Sequence, residues 1–435
     1  MTSPAIAPTT GDTSWFQQDR FGLFIHWGLY ALPARHEWVQ HNEKITAEDY
    51  RRYFEHFDPD LYDPELWAQA AAHAGMKYFV ITTKHHDGFC LWDSQHTDYK
   101  APNTPCGKDL IRPMCEAFNR HGLRTGFYHS LIDWHHDQYL IDPYIGPYRE
   151  ASDRAERNRS RDQAQYAAYL RSQVRELLTD YGQVDIMWFD FSFPNRGEEG
   201  KGRDAWQSEE LVRMIRELAP NIILDDRLDL PGVGDVKTPE QFQPRAWPMV
   251  DGQRVVWEAC QTLSGSWGYH RDEDSWRSTD NLIMTLIDCV GKGGNLLLNV
   301  GPTGRGEFDA RAMDRLRGIG DWMHHHSRSI YGCTQAPEGI AVPQDCRLTY
   351  NPSTKRLYVH VLAWPYKHLY IDGLSAERVA YAQLLHDASE VHRKGIEPWQ
   401  QDAIGDQNRA NSLALYLPQR QPAVGIPVIE IFLKD

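Results

Sequence analysis

From Phe21 to about residue 332, short and almost uninterrupted apolar runs alternate with longer amphipathic stretches. An apolar run without polar interruptions suits a strand covered on both faces, and strands that take turns with helices build a parallel sheet. The runs are 21–27, 77–85, 123–130, 184–191, 221–227, 254–260 and 295–301. Helices are expected between them. One follows Asp63-Pro64, where aspartate caps and proline suits the first turn, and others cover 107–121, 205–219, 279–290 and 310–327. Between Arg161 and Gly182, Tyr166, Tyr169, Leu170, Val174, Leu177, Leu178 and Tyr181 recur at helical spacing, a stripe fit to dock on a sheet. The pattern predicts an α/β fold, a (β/α)8-like (TIM) barrel over 1–335, with seven strands in view and the eighth missing. From about residue 337 the texture changes to short alternating runs split by turn residues, as in LTYNPSTKRLYVHVLAWP and VGIPVIEIFLKD. These predict a C-terminal β-sandwich over 336–435.

The informative residues are the polar ones at the carboxyl ends of the apolar runs. His26 ends the first, His85 and His86 the second, Tyr128 the third, Asp190 the fourth, Arg227 the fifth and Glu258 the sixth. In a (β/α)8 barrel those ends converge on one face, where the loops that follow the strands build the site. Strand-end caps account for two or three such residues more readily than for residues at the ends of six successive runs.

Composition narrows what the site could serve. Against 46 Lys and Arg stand 60 Asp and Glu, a formal charge of -14, which repels phosphate backbones and anionic membranes. Nucleic acid and membrane are therefore not expected as partners; a second copy of the chain is left open. The 15 Trp and 21 Tyr supply either core mass or flat faces for the C–H surfaces of sugars. Seven cysteines without a CxxC or zinc-like spacing suggest reduced thiols. The opening MTSPAIAPTTGDTS lacks a basic region followed by an apolar core, and no stretch offers eighteen uninterrupted apolar residues. A cytoplasmic protein is expected.

Adjacent histidines invite a metal, but neither HExxH nor a two-His-one-carboxylate pattern is present, and HEWVQH has the wrong spacing. The HHH at 324–326 reads as helix surface. Neighbouring strand residues also face opposite ways, so His85 and His86 share a ligand only if the strand has ended before them. Neutral imidazoles, which donate and accept, suit vicinal hydroxyls better. Asp190 has two readings. A carboxylate behind VDIMWF is costly to bury unless it is paired or employed; it is either half of an ion pair, with Arg227 the candidate partner, or a nucleophile kept ionised by donors. Glycoside cleavage would need a second carboxylic acid across the scissile bond.

These motifs together resemble the α-L-fucosidases of glycoside hydrolase family 29. The likeness runs in order through WFQQDRFGLFIHWG, EWV, AGMKYFVITTKHHDGFCLWDS, GFYHS, VDIMWFD, TPEQFQP, WEACQTLSGSWGY and GGNLLLNVGPTGRGEF. It implies a barrel, a C-terminal sandwich and retaining hydrolysis of terminal α-L-fucosides on a fucosylated oligosaccharide or glycoconjugate, with no metal and no organic cofactor. Asp190 corresponds to the family's nucleophile. His26, Glu37, Trp38, His85, His86, Tyr128, Arg227 and Trp267 correspond to its fucose-binding positions. Trp267, or Phe24, is a chemically sensible neighbour for the sugar's C6 methyl, with core packing the simpler role for Phe24.

The acid/base sits on a loop that varies in the family. Glu240 in KTPEQFQP is the first choice, because that motif lies between the fifth and sixth strands. Glu258 in WEAC is second, with a bland alternative as a buried partner of Arg227 or of loop amides; Glu37 is third. Two departures, Val39 after EW and DDRLD at 225–229, border the leaving-group side. Two other functions remain open beside this one: a barrel glycosidase for a related sugar such as an α-L-galactoside, and a carbohydrate-binding protein without catalysis.

Overall fold

A computed structural model describes residues 4–394 and 411–434. Met1–Ser3 of the polar lead, and residues 395–410 and Asp435 of the expected sandwich, lie outside the described residues. Seven parallel strands form one sheet: β1 (Phe21–Ile25), β2 (Tyr78–Lys84), β3 (Arg124–Ser130), β4 (Ile186–Asp190), β5 (Ile223–Leu224), β6 (Glu258–Thr262) and β7 (Asn295–Val300). Their order is β5-β4-β3-β2-β1-β7-β6, each pair in parallel register, for example Phe24 opposite Val80 on one side and Asn299 on the other. Every residue of β1, β2, β6 and β7 is buried, as unbroken apolar runs require.

The two edges of this sheet, β5 and β6, are bridged by the eighth element that the sequence hides. Residues 236–240 run parallel between them, with Val236 opposite Asp225, Lys237 opposite Trp257 and Glu240 opposite Cys260. On one side the Val236 N–H donates to the Leu224 carbonyl (3.2 Å). On the other, Lys237 N–H donates to Val256 (2.9 Å), while Glu258 and Cys260 N–H donate to Lys237 (2.9 Å) and Pro239 (3.1 Å). Pro239 has no N–H to give, so the segment is a strand with a donor missing. Its Val236 side chain joins Phe24, Val80, Tyr128, Trp188, Ile223, Cys260 and Leu297 in the packed interior, so the barrel is filled from every side.

Two sequence expectations need correction at this closure. The run 221–227 pairs as a strand only over Ile223–Leu224, and 254–260 does not form one strand. Gln253–Arg254 belongs instead to a small hairpin with Met249–Val250, and β6 starts at Glu258. The helices fall where capping chemistry puts them. Asp63 accepts the Glu65 N–H (2.9 Å) ahead of Pro64–His73, and Ser278 accepts the Asn281 N–H (3.2 Å) ahead of Thr279–Gly291. Gln163–Asp180 and Ala310–His326 are helical too, although His326 at the end of the latter is buried rather than on the surface.

Among the described residues, the C-terminal part forms two antiparallel sheets. One has the order Cys346–Asn351, Arg356–Val361, Val428–Leu433, Val379–Leu384; the other has His368–Asp372, Ser412–Tyr416, His392–Lys394. Its own apolar core includes Leu357, Val359, Ile371, Leu413, Leu415 and Ile431. Trp322 of the last barrel helix donates to the Ile426 carbonyl (2.9 Å), tying the two parts together. Among the described residues no helix is long and apolar enough to cross a membrane.

Candidate active site

The carboxyl ends of the strands open into a cavity of about 500 Å³. His26, Glu37, Trp38, His85, His86, Tyr128, Asp190, Arg227, Glu240 and Trp267 all line it. β2 ends at Lys84, so His85 and His86 are free of strand alternation and both reach the same cavity. Glu258 is the exception and a correction. It is the first residue of β6, not the last, and lies opposite Asn295 at the start of β7, bonded to the hydroxyl of Tyr78 at the start of β2. That is the far end of the barrel from the cavity, out of reach of anything bound there.

At the centre a single nitrogen serves two carboxylates. Arg227 Nη1 donates to Asp190 Oδ1 (2.7 Å) and to Glu240 Oε2 (2.8 Å). Those two oxygens are therefore at most about 5.5 Å apart, no further than the separation of about 5–5.5 Å that suits double displacement and short of the about 6.5–9.5 Å that suits inversion. Asp190 also accepts the Tyr128 hydroxyl at Oδ2 (2.9 Å). Burial pushes its carboxyl upward, but the Arg227 guanidinium, His86 and the two hydrogen bonds more than offset this and hold it below the ordinary carboxylate range. Asp190 is thus both the ion pair and the ionised group that the sequence left as alternatives. Arg227 is fixed from behind: Nε donates to Thr238 Oγ1 (3.1 Å), Nη2 to the Thr238 carbonyl (3.2 Å), and the guanidinium lies over the Trp188 ring at 4.4 Å. Glu240, at the end of the closing segment, is the more exposed carboxylate of the pair, at 41% against 16% for Asp190. It stands on a barrel strand, not on the long loop expected for it.

The floor of the cavity is a set of neutral imidazoles with assigned roles. Asn299 gives its amide N–H to the Trp267 carbonyl (2.7 Å), which can only accept; its oxygen therefore faces His26 Nδ1 (2.6 Å), and that nitrogen carries the proton. His26 Nε2 is left as an acceptor. Likewise Ser130 Oγ donates to the Ile132 carbonyl (2.6 Å), so it accepts from His86 Nδ1 (2.7 Å), and His86 Nε2 is an acceptor 3.9 Å from Asp190 Oδ2. Two acceptors cannot satisfy each other, and the hydroxyl of a ligand is the donor either would take. Burial pushes the His26 pKa down to about 3 and that of His86 to about 4, so both are neutral at ordinary pH. His85 stacks on Tyr128 at 5.7 Å, and burial with the imidazoles of His86, His26 and His36 pushes its pKa well below the usual value. Glu37 Oε2 accepts the Gly268 N–H (2.8 Å); its Oε1 lies 3.2 Å from His36 Nδ1, which already accepts the Trp38 N–H, so Oε1, like His85 Nδ1, is buried without a hydrogen-bond donor.

Several lining residues escaped the sequence reading: Tyr144, Trp188, Phe191, Phe193 and Cys260. Trp188 and Cys260 were accessible in principle, because each sits two residues from a polar position already singled out and so shares its strand face. Asn299, which orients His26, lies on β7 among leucines and has no motif signal of its own. Phe24 is in the barrel interior and also borders the cavity.

A parallel barrel whose mouth holds two carboxylates this close, over imidazoles poised for hydroxyls and between aromatic faces, is the construction of a glycoside hydrolase. The chain belongs to the α-L-fucosidase family, whose model matches residues 8–328. Among solved structures, α-L-fucosidase isoenzyme 1 from Paenibacillus thiaminolyticus is similar at 43% identity and a TM-score of 0.88, covering 97% of this chain and 99% of that one. A family 29 α-L-fucosidase from Bacteroides thetaiotaomicron, trapped as a covalent intermediate in a glutamate-to-glutamine mutant, is similar at 25% identity and a TM-score of 0.82, covering 99% of both chains. Human plasma α-L-fucosidase is 28% identical over 379 residues, 81% of this chain and 76% of the human protein.

Proposed function

We propose that this α-L-fucosidase is a retaining exo-enzyme that removes terminal α-L-fucose by double displacement, with Asp190 as nucleophile and Glu240 as acid/base. The observation that carries the reading is the shared Arg227 nitrogen, which limits the separation of the two carboxylates to that of a retaining pair. Asp190 attacks the anomeric carbon while Glu240 gives its proton to the glycosidic oxygen, and the aglycone leaves as the alcohol. Glu240, now ionised, takes a proton from water as that water attacks the anomeric carbon and breaks its bond to the Asp190 oxygen, releasing fucose and restoring Asp190.

His26, His86 and His85, with Glu37, supply acceptors for the sugar hydroxyls, and the buried atoms lacking partners gain them when sugar binds. Trp38 and Trp267 provide flat faces, Trp267 for the C6 methyl. Tyr128 and Arg227 hold Asp190. The substrate is a fucosylated oligosaccharide or glycoconjugate. All seven cysteines are unpaired, which favours a reducing, cytoplasmic setting.

Turnover of an aryl α-L-fucoside and an aryl α-L-galactoside is the test, on wild type, Asp190→Ala and Glu240→Ala, with and without azide. Fucoside should be preferred. Glu240→Ala should lose about 10²–10⁴-fold on a poor leaving group and far less on a good one, with azide restoring turnover as a glycosyl azide. Near-native turnover of the poor leaving group by Glu240→Ala would remove it from the acid/base role. A wild type silent on both sugars would leave only carbohydrate binding.

A further inference from the structure

The cavity is deep and polar at its floor, but its rim is not uniform. Directly after Asp190 the chain turns at Phe191 with φ of 79°, a left-handed conformation that bulky residues adopt only when their surroundings impose it. The surroundings here are rings. Phe191 packs 5.2 Å from Trp38, 5.2 Å edge-on from His86 and 4.7 Å edge-on from Tyr144, and Phe193 meets Tyr144 at 4.8 Å.

The stretch carrying both phenylalanines is pinned at each residue. Ser192 Oγ donates to the Arg227 carbonyl (2.8 Å) and accepts from Trp206 Nε1 (3.0 Å). The Phe193 backbone exchanges hydrogen bonds with Lys201 (2.8 and 3.3 Å), whose ammonium is itself buried against Asp142 and the Leu140 carbonyl. Phe191, Phe193 and Tyr144 thus form a rigid aromatic wall, each ring only half-buried and each lining the cavity, while Asp226, Asp229 and Glu240 make up a polar part of the rim.

The position of this wall says which part of a substrate it meets. His26, Glu37, His85 and His86 are buried, so a single sugar held by them fills the floor. Whatever is attached to its anomeric carbon must leave past Glu240 and the half-buried rings. We propose that Phe191, Phe193 and Tyr144 form a leaving-group subsite that takes the flat apolar face of the aglycone, either an aryl ring or the C–H face of a pyranose. The strain at Phe191 is what sets its ring into this wall immediately beside Asp190. This deepens the fucosidase reading and rests on it.

Three substrates separate the alternatives: 4-nitrophenyl α-L-fucoside, an α-L-fucosyl-galactose disaccharide, and α-L-fucosyl fluoride, whose leaving group is too small to reach the wall. In Phe193→Ala, kcat/KM for at least one of the two larger substrates should fall about tenfold further than for the fluoride, mainly through KM. A selective loss on the aryl fucoside alone, or on the disaccharide alone, identifies which flat face the wall receives. Phe191→Gly should show the same pattern, since glycine takes a positive φ freely and the turn is kept. Equal losses on all three substrates in both variants, or no loss on any, would overturn the subsite. A wild type that turns over none of the three instead sinks the fucosidase reading, and the subsite with it.

Discussion

Asp190 and Glu258 are both carboxyls on barrel strands, the first half-buried and the second buried, and each lies two residues from a side chain of the packed interior, Trp188 and Cys260 respectively. They stand at opposite ends of the barrel. Asp190, last in β4, has a guanidinium at 2.7 Å and a tyrosine hydroxyl at 2.9 Å and is held below the usual carboxylate range. Glu258, first in β6, has the Tyr78 hydroxyl and no cation; burial pushes its pKa up to about 8. Burial acts on both in the same direction, so the difference between a reactive anion and an inert neutral acid is made by Arg227. A strongly shifted pKa by itself would have pointed to Glu258, which does not line the cavity.

The largest effect that separates the two ends is on turnover. Asp190→Ala should cost about 10⁴-fold or more in kcat on an aryl fucoside, because in the proposed mechanism it removes the nucleophile. Glu258→Gln should stay within a few-fold of wild type, because an amide replaces an acid that is already neutral and can still accept from Tyr78. Comparable losses in the two variants would mean that the barrel's ends are not chemically distinct in this way.

A smaller effect tests the cation. Arg227→Met leaves Asp190 with Tyr128 alone and should cost about 10²–10³-fold in kcat/KM, the usual loss when one charged donor is taken from a reacting group. Without the guanidinium the Asp190 carboxyl rises, so the acidic limb of the kcat/KM profile should move to higher pH. A large loss with an unmoved acidic limb would show that Arg227 positions the sugar and does not set the charge of Asp190.

What could be read from the sequence follows the same physics. Strands buried on both faces announce themselves as apolar runs, and a carboxylate behind VDIMWF is visible because nothing else in that run is charged. The closing strand was hidden because its residues are mostly polar and Pro239 breaks its ladder, leaving VKTPE with no periodicity to detect. Glu240 was therefore reached only through the family's motif, although its place at a strand's end is the same as that of Asp190. Glu258 was misplaced for the converse reason: the run beginning at Arg254 looks like one strand, but its first residues belong to a hairpin. Starting β6 four residues later turns the last position of a strand into its first. Three histidines in a row look solvated, yet His326 is buried, stacked on Trp322 at 4.9 Å and turned toward His386.

The smallest effect is on stability, and there the two carboxyls pull in opposite directions. The pKa of Asp190 is lowered by folding, so its contribution is present above its ordinary value of 3.8 and is lost as pH falls through the folded value. Glu258 titrates near 4.5 when unfolded and about 8 when folded. Between those values the unfolded chain has released a proton that the folded chain keeps, so stability falls as pH rises from 4.5 to about 8 and is flat on either side. A shift of that size is worth on the order of a few kcal/mol across the interval. Thermal unfolding midpoints at pH 5 and pH 8 should therefore differ less in Glu258→Gln than in wild type, since other buried acids such as Asp87, raised to about 7, contribute equally to both proteins. Identical losses in wild type and variant would mean that Glu258 ionises within the fold, and that a carboxylate at the barrel's closed end needs no Arg227 of its own.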